Sequence, residues 1–305
     1  MPHFADTLIE RTRHLGHPLC VGLDPYLERI PPLFRRGSMT LNAPETPAAV
    51  QTFLFAVLDR LAGKVAVVKP QIALFEPLGW RGIQVLEAVL ARARERGLLV
   101  LLDAKRGDIG ATADGYAQAY LDAASPLAVD ALTVNPYMGL DALEPFVRRA
   151  AGSHRGIFVL VKNSNPGAAV YQQLAVGERF FYEVVAASLA GIEARLQAPH
   201  TGWSSLGVTV AATAPDASEH IRPLLPHALF LVLGYGAQGG SARDAVRGFA
   251  RGPNGLEGGV VNASRSVLFP VAGHTEHAAA WEKAFDAAVQ AAIDELHAAV
   301  TEARA

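Results

Sequence analysis

Eight short apolar runs, separated by longer stretches of helical periodicity, constrain this chain more than any other feature. The runs lie near residues 18–23, 64–69, 98–103, 129–134, 157–162, 206–211, 228–233 and 259–263. Runs this short, apolar throughout rather than alternating, read as parallel strands covered on both faces. Amphipathic stretches near 47–62, 78–96, 110–123, 139–151, 178–197, 216–225 and 241–250 supply the crossovers between them. Eight such units predict an α/β protein, a closed (β/α)8 TIM barrel forming a single domain over residues 1–305. An extra helix precedes it near 3–15, and a long Ala-rich helix follows near 276–302. An open, doubly wound sheet is the alternative that the spacing leaves. Three segments read as long loops: the Pro-rich 31–47, to which the sequence assigns no role, then 164–177 and 252–258.

A barrel of this kind builds its active site from the C-terminal strand ends and the loops after them. The polar residues gather there: Asp24, Lys69, Asp103 with Lys105, Asn135, Lys162 with Ser164, and Arg265. Only five lysines occur in the chain, and Lys69, Lys105 and Lys162 all fall at the ends of apolar runs rather than over helix faces. That asymmetry marks an enzyme. Other classes are disfavoured. A formal charge of −2 gives no sign of a nucleic-acid or membrane partner. The opening residues lack the basic and apolar regions of a signal peptide, and no run approaches the roughly 18 residues that span a bilayer, so a cytoplasmic protein is expected. Cys20 is the only cysteine, which excludes an intrachain disulfide and a thiolate zinc site. His274 and His277 have metal-pair spacing but no third ligand in view, and read as solvated residues.

The segment from Leu101 to Thr112 carries the chemistry. A buried strand runs directly into Asp103 and Lys105, which alternation places on one face. Asp108 follows at the turn into a helix. Charges there are costly unless paired or used. Together with Lys69 they form an alternating set in which carboxylates keep lysines protonated, able to present an ammonium to developing negative charge and then donate a proton. The bland alternative is a structural ion-pair cluster with Asp108 as a helix cap. The glycine-rich segment Gly234–Gly240 opens a helix after the seventh strand, and Arg265 follows the eighth. Converging N–H groups and a guanidinium at that place suit a phosphate, and the loop is a candidate lid.

The decapeptide Asp103-Ala-Lys105-Arg-Gly-Asp108-Ile-Gly-Ala-Thr112 resembles the signature of the orotidine 5′-phosphate decarboxylase family. Val21-Gly-Leu-Asp24-Pro, Lys69-Pro-Gln-Ile-Ala-Leu-Phe-Glu76, Val161-Lys-Asn-Ser164-Asn-Pro-Gly, Gly236-Ala-Gln238-Gly-Gly and Ala263-Ser-Arg265-Ser are similar to its other strand ends, in order, in the wording of the longer bacterial branch. The resemblance implies decarboxylation of orotidine 5′-monophosphate to uridine 5′-monophosphate, with no metal and no organic cofactor. It implies that Asp24 and Lys69 contact the ribose, and that Asp103 and Lys105 lie beside C6 with Lys105 as proton donor. Asp108 and Thr112 would complete the site of a neighbouring subunit in a homodimer. Ser164 would hold the pyrimidine edge, and Gln238 and Arg265 the phosphate. Lys162 has no role in the resemblance. Two rivals remain: a magnesium-dependent sugar-phosphate aldolase sharing the Asp-x-Lys-x-x-Asp pattern, and a catalytically silent nucleotide-binding barrel. The aldolase needs an acidic ligand where this chain has Lys69. The silent barrel has no use for the full charged set.

Overall fold

The computed structural model describes residues 2–302. Its central strands are β1 (Leu19–Leu23), β2 (Val67–Pro70), β3 (Leu99–Arg106), β4 (Ala131–Val134), β5 (Gly156–Leu160), β6 (Ser204–Ala211), β7 (Ala228–Leu233) and β8 (Gly259–Ala263). All neighbours pair in parallel, and β1 joins both β2 and β8, which closes the barrel. Each strand falls within three residues of its expected place.

The apolar strands serve two cores because their side chains alternate. Val68, Val100, Leu132, Val159, Val208 and Val261 face outward and pack with the surrounding helices. Cys20, Val67, Leu101, Phe158, Leu231 and Val260 fill the barrel interior. Gly207 makes room for the largest of these, since a methyl group there would lie 2.2 Å from the Phe158 ring.

Helix α1 (Phe4–Leu15) is the predicted N-terminal helix, and it has a definite job. Its Phe4, Ala5, Leu8 and Ile9 belong to the interior cluster, and Phe4 meets Phe158 edge-on at 6.2 Å. The helix is the floor of the barrel. With the N-terminal end stoppered, only the C-terminal mouth can admit a ligand.

Between barrel strands the crossovers match expectation through α2 (Thr46–Leu61), α3 (Trp80–Glu95), α4 (Gly110–Leu121) and α5 (Leu140–Ser153). Later ones are more broken. The stretch 178–197 divides into Phe181–Ser188 and Ala190–Arg195, preceded by a two-residue ribbon pairing Ala175–Val176 with Arg179–Phe180. The stretch 241–250 holds one helical turn, Ala242–Ala245, and then a hairpin of Ala250–Gly252 with Gly255–Glu257. So the expected loop 252–258 is mostly hairpin, fastened where Glu257 accepts from Arg13 at 2.7 Å and from Trp203 Nε1 at 2.9 Å. The final helix runs Ala278–Glu302 and packs through Trp281, Phe285, Val289, Leu296 and Val300. Among the described residues no helix is long and apolar enough to cross a membrane.

Segment 31–47 is not an idle surface loop. Phe34 and Met39 are buried, and the Phe34 ring lies 4.8 Å from Trp281 and 5.3 Å from Phe53. It thereby ties α2 to the final helix. Phe34→Ala should lower the unfolding free energy by about 3 kcal/mol, as expected for an aromatic cavity, read from denaturant midpoints at unchanged slope.

Candidate active site

Asp103 organises the open end of the barrel. Its carboxylate is almost wholly buried and accepts four hydrogen bonds. Lys69 Nζ (3.1 Å) and Gln71 Nε2 (2.9 Å) donate to Oδ2, while Lys105 Nζ (2.6 Å) and Thr133 Oγ1 (3.0 Å) donate to Oδ1. Burial pushes the carboxyl up, but the two lysines and their hydrogen bonds outweigh it and hold Asp103 far below the usual range. Burial pulls Lys69 down, yet Asp103 and Asp24 raise it above an ordinary lysine. Both groups are therefore ionised at neutral pH.

Lys105 reaches this position by an irregular route. Simple alternation along β3 predicts that it shares a face with Asp103. Instead the pairing of β3 with β4 shifts register between Leu102 and Arg106, and Lys105 adopts a left-handed backbone with φ of 50°. A side chain with a Cβ rarely takes that conformation unless its surroundings impose it. Thr133 imposes it. Its fully buried hydroxyl accepts from Ala104 N at 2.9 Å and from Lys105 N at 2.8 Å while donating to Asp103. One donor and two acceptors exhaust what a threonine offers. The result is a lysine whose ammonium pairs with a buried carboxylate while its side chain stays 39% exposed to the mouth.

The remaining expected residues divide into those the fold gathers and those it holds apart. Asp24, just past β1, accepts from Ser264 Oγ through Oδ2, and its Oδ1 is buried with no partner. Ser164 and Gln238 converge on Gly234, where a methyl group would lie 3.3 Å from Ser164 Cβ and 3.6 Å from Gln238 Oε1. Arg265 begins a short helix after β8, and no ion pair occupies its guanidinium among the described residues. Asp108 and Thr112 stand apart. Asp108 accepts from the N–H of Ile109 at 2.8 Å, and among the described residues no hydrogen bond or ion pair joins it to Asp103, Lys105 or Lys69. Thr112 is exposed. The alternating set of four is thus, within one chain, a set of three completed by Gln71 and Thr133. Those two escaped the sequence reading. Thr133 was visible as the one polar residue of β4, and Gln71 stands two residues beyond Lys69, on the same face. Lys162 is buried, with a single 3.4 Å bond to Asn163 O, and burial lowers its pKa.

Residues 17–283 match the model of the orotidine 5′-phosphate decarboxylase / HUMPS family. The chain belongs to that family. It is 42% identical over 302 residues to an orotidine 5′-phosphate decarboxylase of Rhodopirellula baltica, covering 97% of this chain and 98% of the relative. It is also 42% identical to one of Deinococcus radiodurans, covering 88% and 90%. A crystal structure from Streptomyces avermitilis superposes with a TM-score of 0.80 at 34% identity, covering 98% and 96%. That of Leishmania donovani OMP decarboxylase gives 0.73 at 32%, covering 97% and 98%.

This member of the decarboxylase family thus sets its charged network on a hydroxyl. Replacing Thr133 by Val keeps the shape but strands two backbone N–H groups and one carboxylate lone pair. We expect about 2–4 kcal/mol of lost stability, measured by denaturant unfolding, and weakened nucleotide binding in the fraction that stays folded.

Proposed function

We propose that this chain is a carboxy-lyase that converts orotidine 5′-monophosphate to uridine 5′-monophosphate and CO2 in pyrimidine nucleotide synthesis, with residues 1–305 acting as one domain. The observation that carries the reading is the Lys105 ammonium, fixed by Asp103 at 2.6 Å and open to the mouth. Loss of CO2 leaves an electron pair at C6 in the plane of the ring, where the π-system cannot absorb it. Stabilisation must then come from a charge already in place. Lys105 supplies that charge and then the proton that becomes the C6 hydrogen. Asp103 pairs with the ammonium and aims it, and Lys69 and Gln71 hold Asp103 in place.

The same reading assigns the binding residues. The unpartnered Oδ1 of Asp24 suits a ribose hydroxyl, with Lys69 beside it. Ser164 takes the pyrimidine edge, and Gln238 with Arg265 the phosphate. Phosphate affinity remote from the reacting carbon can be used to close the loop and stabilise the transition state. The aldolase reading fails at Lys69, because an ammonium locked to Asp103 occupies the place of an acidic metal ligand. The silent-barrel reading leaves the left-handed Lys105 and its network without a use. We place the reaction in the cytoplasm, on the chemistry of a water-soluble phosphorylated substrate.

We further propose a homodimer in which Asp108 and Thr112 complete the partner's site. In support, Ile109 and Tyr137, on the loops after β3 and β4, are 61% and 83% exposed beside exposed Met138 and Leu140, an apolar surface of the kind that marks an interface.

Purified protein mixed with orotidine 5′-monophosphate should show the absorbance change of decarboxylation, undiminished by EDTA. Lys105→Ala should lower kcat by about a thousandfold or more, with uridine 5′-monophosphate still bound; undiminished turnover would remove Lys105 from its role. A second test concerns sharing. Lys105→Ala and Asp108→Ala chains, each nearly inactive alone, should recover about a quarter of wild-type activity after mixing and refolding. Half the dimers would be mixed, each with one intact site of two; no recovery would overturn the shared site.

A further inference from the structure

The segment Gly234–Gly240 is held in shape by its own backbone, so its direction depends on where it is rooted. Gly234, Gly236 and Gly239 have φ of 85°, 66° and 93°, and the backbone closes on itself through Gly236 N to Gly240 O (3.0 Å), Gly240 N to Gly234 O (3.1 Å) and Gly239 N to Gly236 O (2.8 Å). Residues 236–239, Gln238 included, are exposed. Such a loop needs a fixed root if Gln238 is to meet a phosphate at a defined place. Its C-terminal root is the short helix Ala242–Ala245, where Ser241 Oγ accepts from Asp244 N at 3.1 Å.

The N-terminal root is Tyr235. Its ring is buried, 7% exposed, and its hydroxyl donates to Glu295 Oε2 at 2.6 Å. This is a short, charge-assisted bond across 60 positions of sequence. Glu295 sits on the final helix, which is held by Trp281, Phe285 and Leu296 in the core and by ion pairs of Asp286 with Arg60 and Lys64. The other polar tie between helix and loop region, Arg243 to Glu302 at 3.4 Å, joins two largely exposed side chains and contributes little.

We propose that Tyr235 and Glu295 form a clamp through which the C-terminal helix positions the phosphate-binding loop, making both of them positioning residues for Gln238. The inference rests on the reading of Gln238 and Arg265 as phosphate ligands. Packing alone does not require the bond, since a phenylalanine would fill the same space. The hydroxyl adds direction: it stops the loop root from turning about its glycines.

Steady-state kinetics on orotidine 5′-monophosphate and on orotidine, which lacks the phosphate, test this. Tyr235→Phe and Glu295→Ala should each raise KM for the nucleotide about five- to tenfold, the size of one such bond, with kcat within about twofold. Neither should change kcat/KM for orotidine. Glu295→Gln, which keeps an acceptor, should lie nearer wild type than Glu295→Ala. The double variant should be no worse than either single one. An unchanged KM, an equal loss on both substrates, or additive single effects would each overturn the clamp. If Glu295→Ala does not fold, Tyr235→Phe decides alone, because it deletes one oxygen from a packed ring. Arg265→Ala is the control. If it raises KM for the nucleotide while Tyr235→Phe does not, the clamp fails and the phosphate reading stands. If it leaves KM unchanged, the phosphate reading itself fails.

Discussion

A buried carboxylate cannot be left alone, and the open end of this barrel is arranged around that fact. Asp103 would be expensive to ionise in its position without partners. Its partners come from three adjacent strands: Lys69 and Gln71 from the end of β2, Lys105 from β3 itself, and Thr133 from β4. Meeting the demands of one anion thus couples the strand ends to one another. It also bears on the register shift in β3: Lys105 meets Asp103 from a left-handed backbone, and Thr133 stabilises that conformation by accepting from the N–H groups of Ala104 and Lys105.

The network satisfies Asp103 and sets two cations beside it, with the Asp24 carboxylate close enough to act on Lys69. Two ammonium groups share this one carboxylate, and Arg265 stands at the next open strand end without an ion pair. Asp24, one oxygen short of a partner, offers an acceptor. An unfilled carboxylate oxygen near two ammonium groups, with an unpaired guanidinium at a further strand end, suits a ligand that carries both hydroxyls and anionic groups. A ribose carrying a phosphate on one side and a carboxylated base on the other has that layout. The closed floor built by α1 leaves such a molecule one way in.

Peripheral segments serve the site by holding its loops. Phe34 and Trp281 join the 31–47 segment to the C-terminal helix, and that helix reaches the glycine loop through Tyr235 and Glu295. A long terminal helix packed against α2 and tied to Tyr235 gives the Gly234–Gly240 loop a rigid reference.

The architecture was legible in the sequence because burial on both faces leaves a continuous apolar signature, repeated eight times, that few other folds produce. The chemistry was legible where charge interrupts that signature, at Lys69, Asp103 and Lys105. Thr133 and Gln71 were not, because a threonine in a strand and a glutamine beyond one are ordinary residues until the partner they bond is known. The breaks near Leu189 and Val246 were equally hidden, since the apolar pattern continues through them. Asp108 shows the opposite case. Its spacing placed it with Asp103 and Lys105, yet it lies past the end of β3 at Arg106 and no hydrogen bond or ion pair joins it to them. Local hydrophobic pattern, which depends only on neighbours in sequence, determined the barrel and the ends at which charges collect. Which of those charges touch, and through which hydroxyl, depended on the register between strands, and register is decided only when the whole barrel closes.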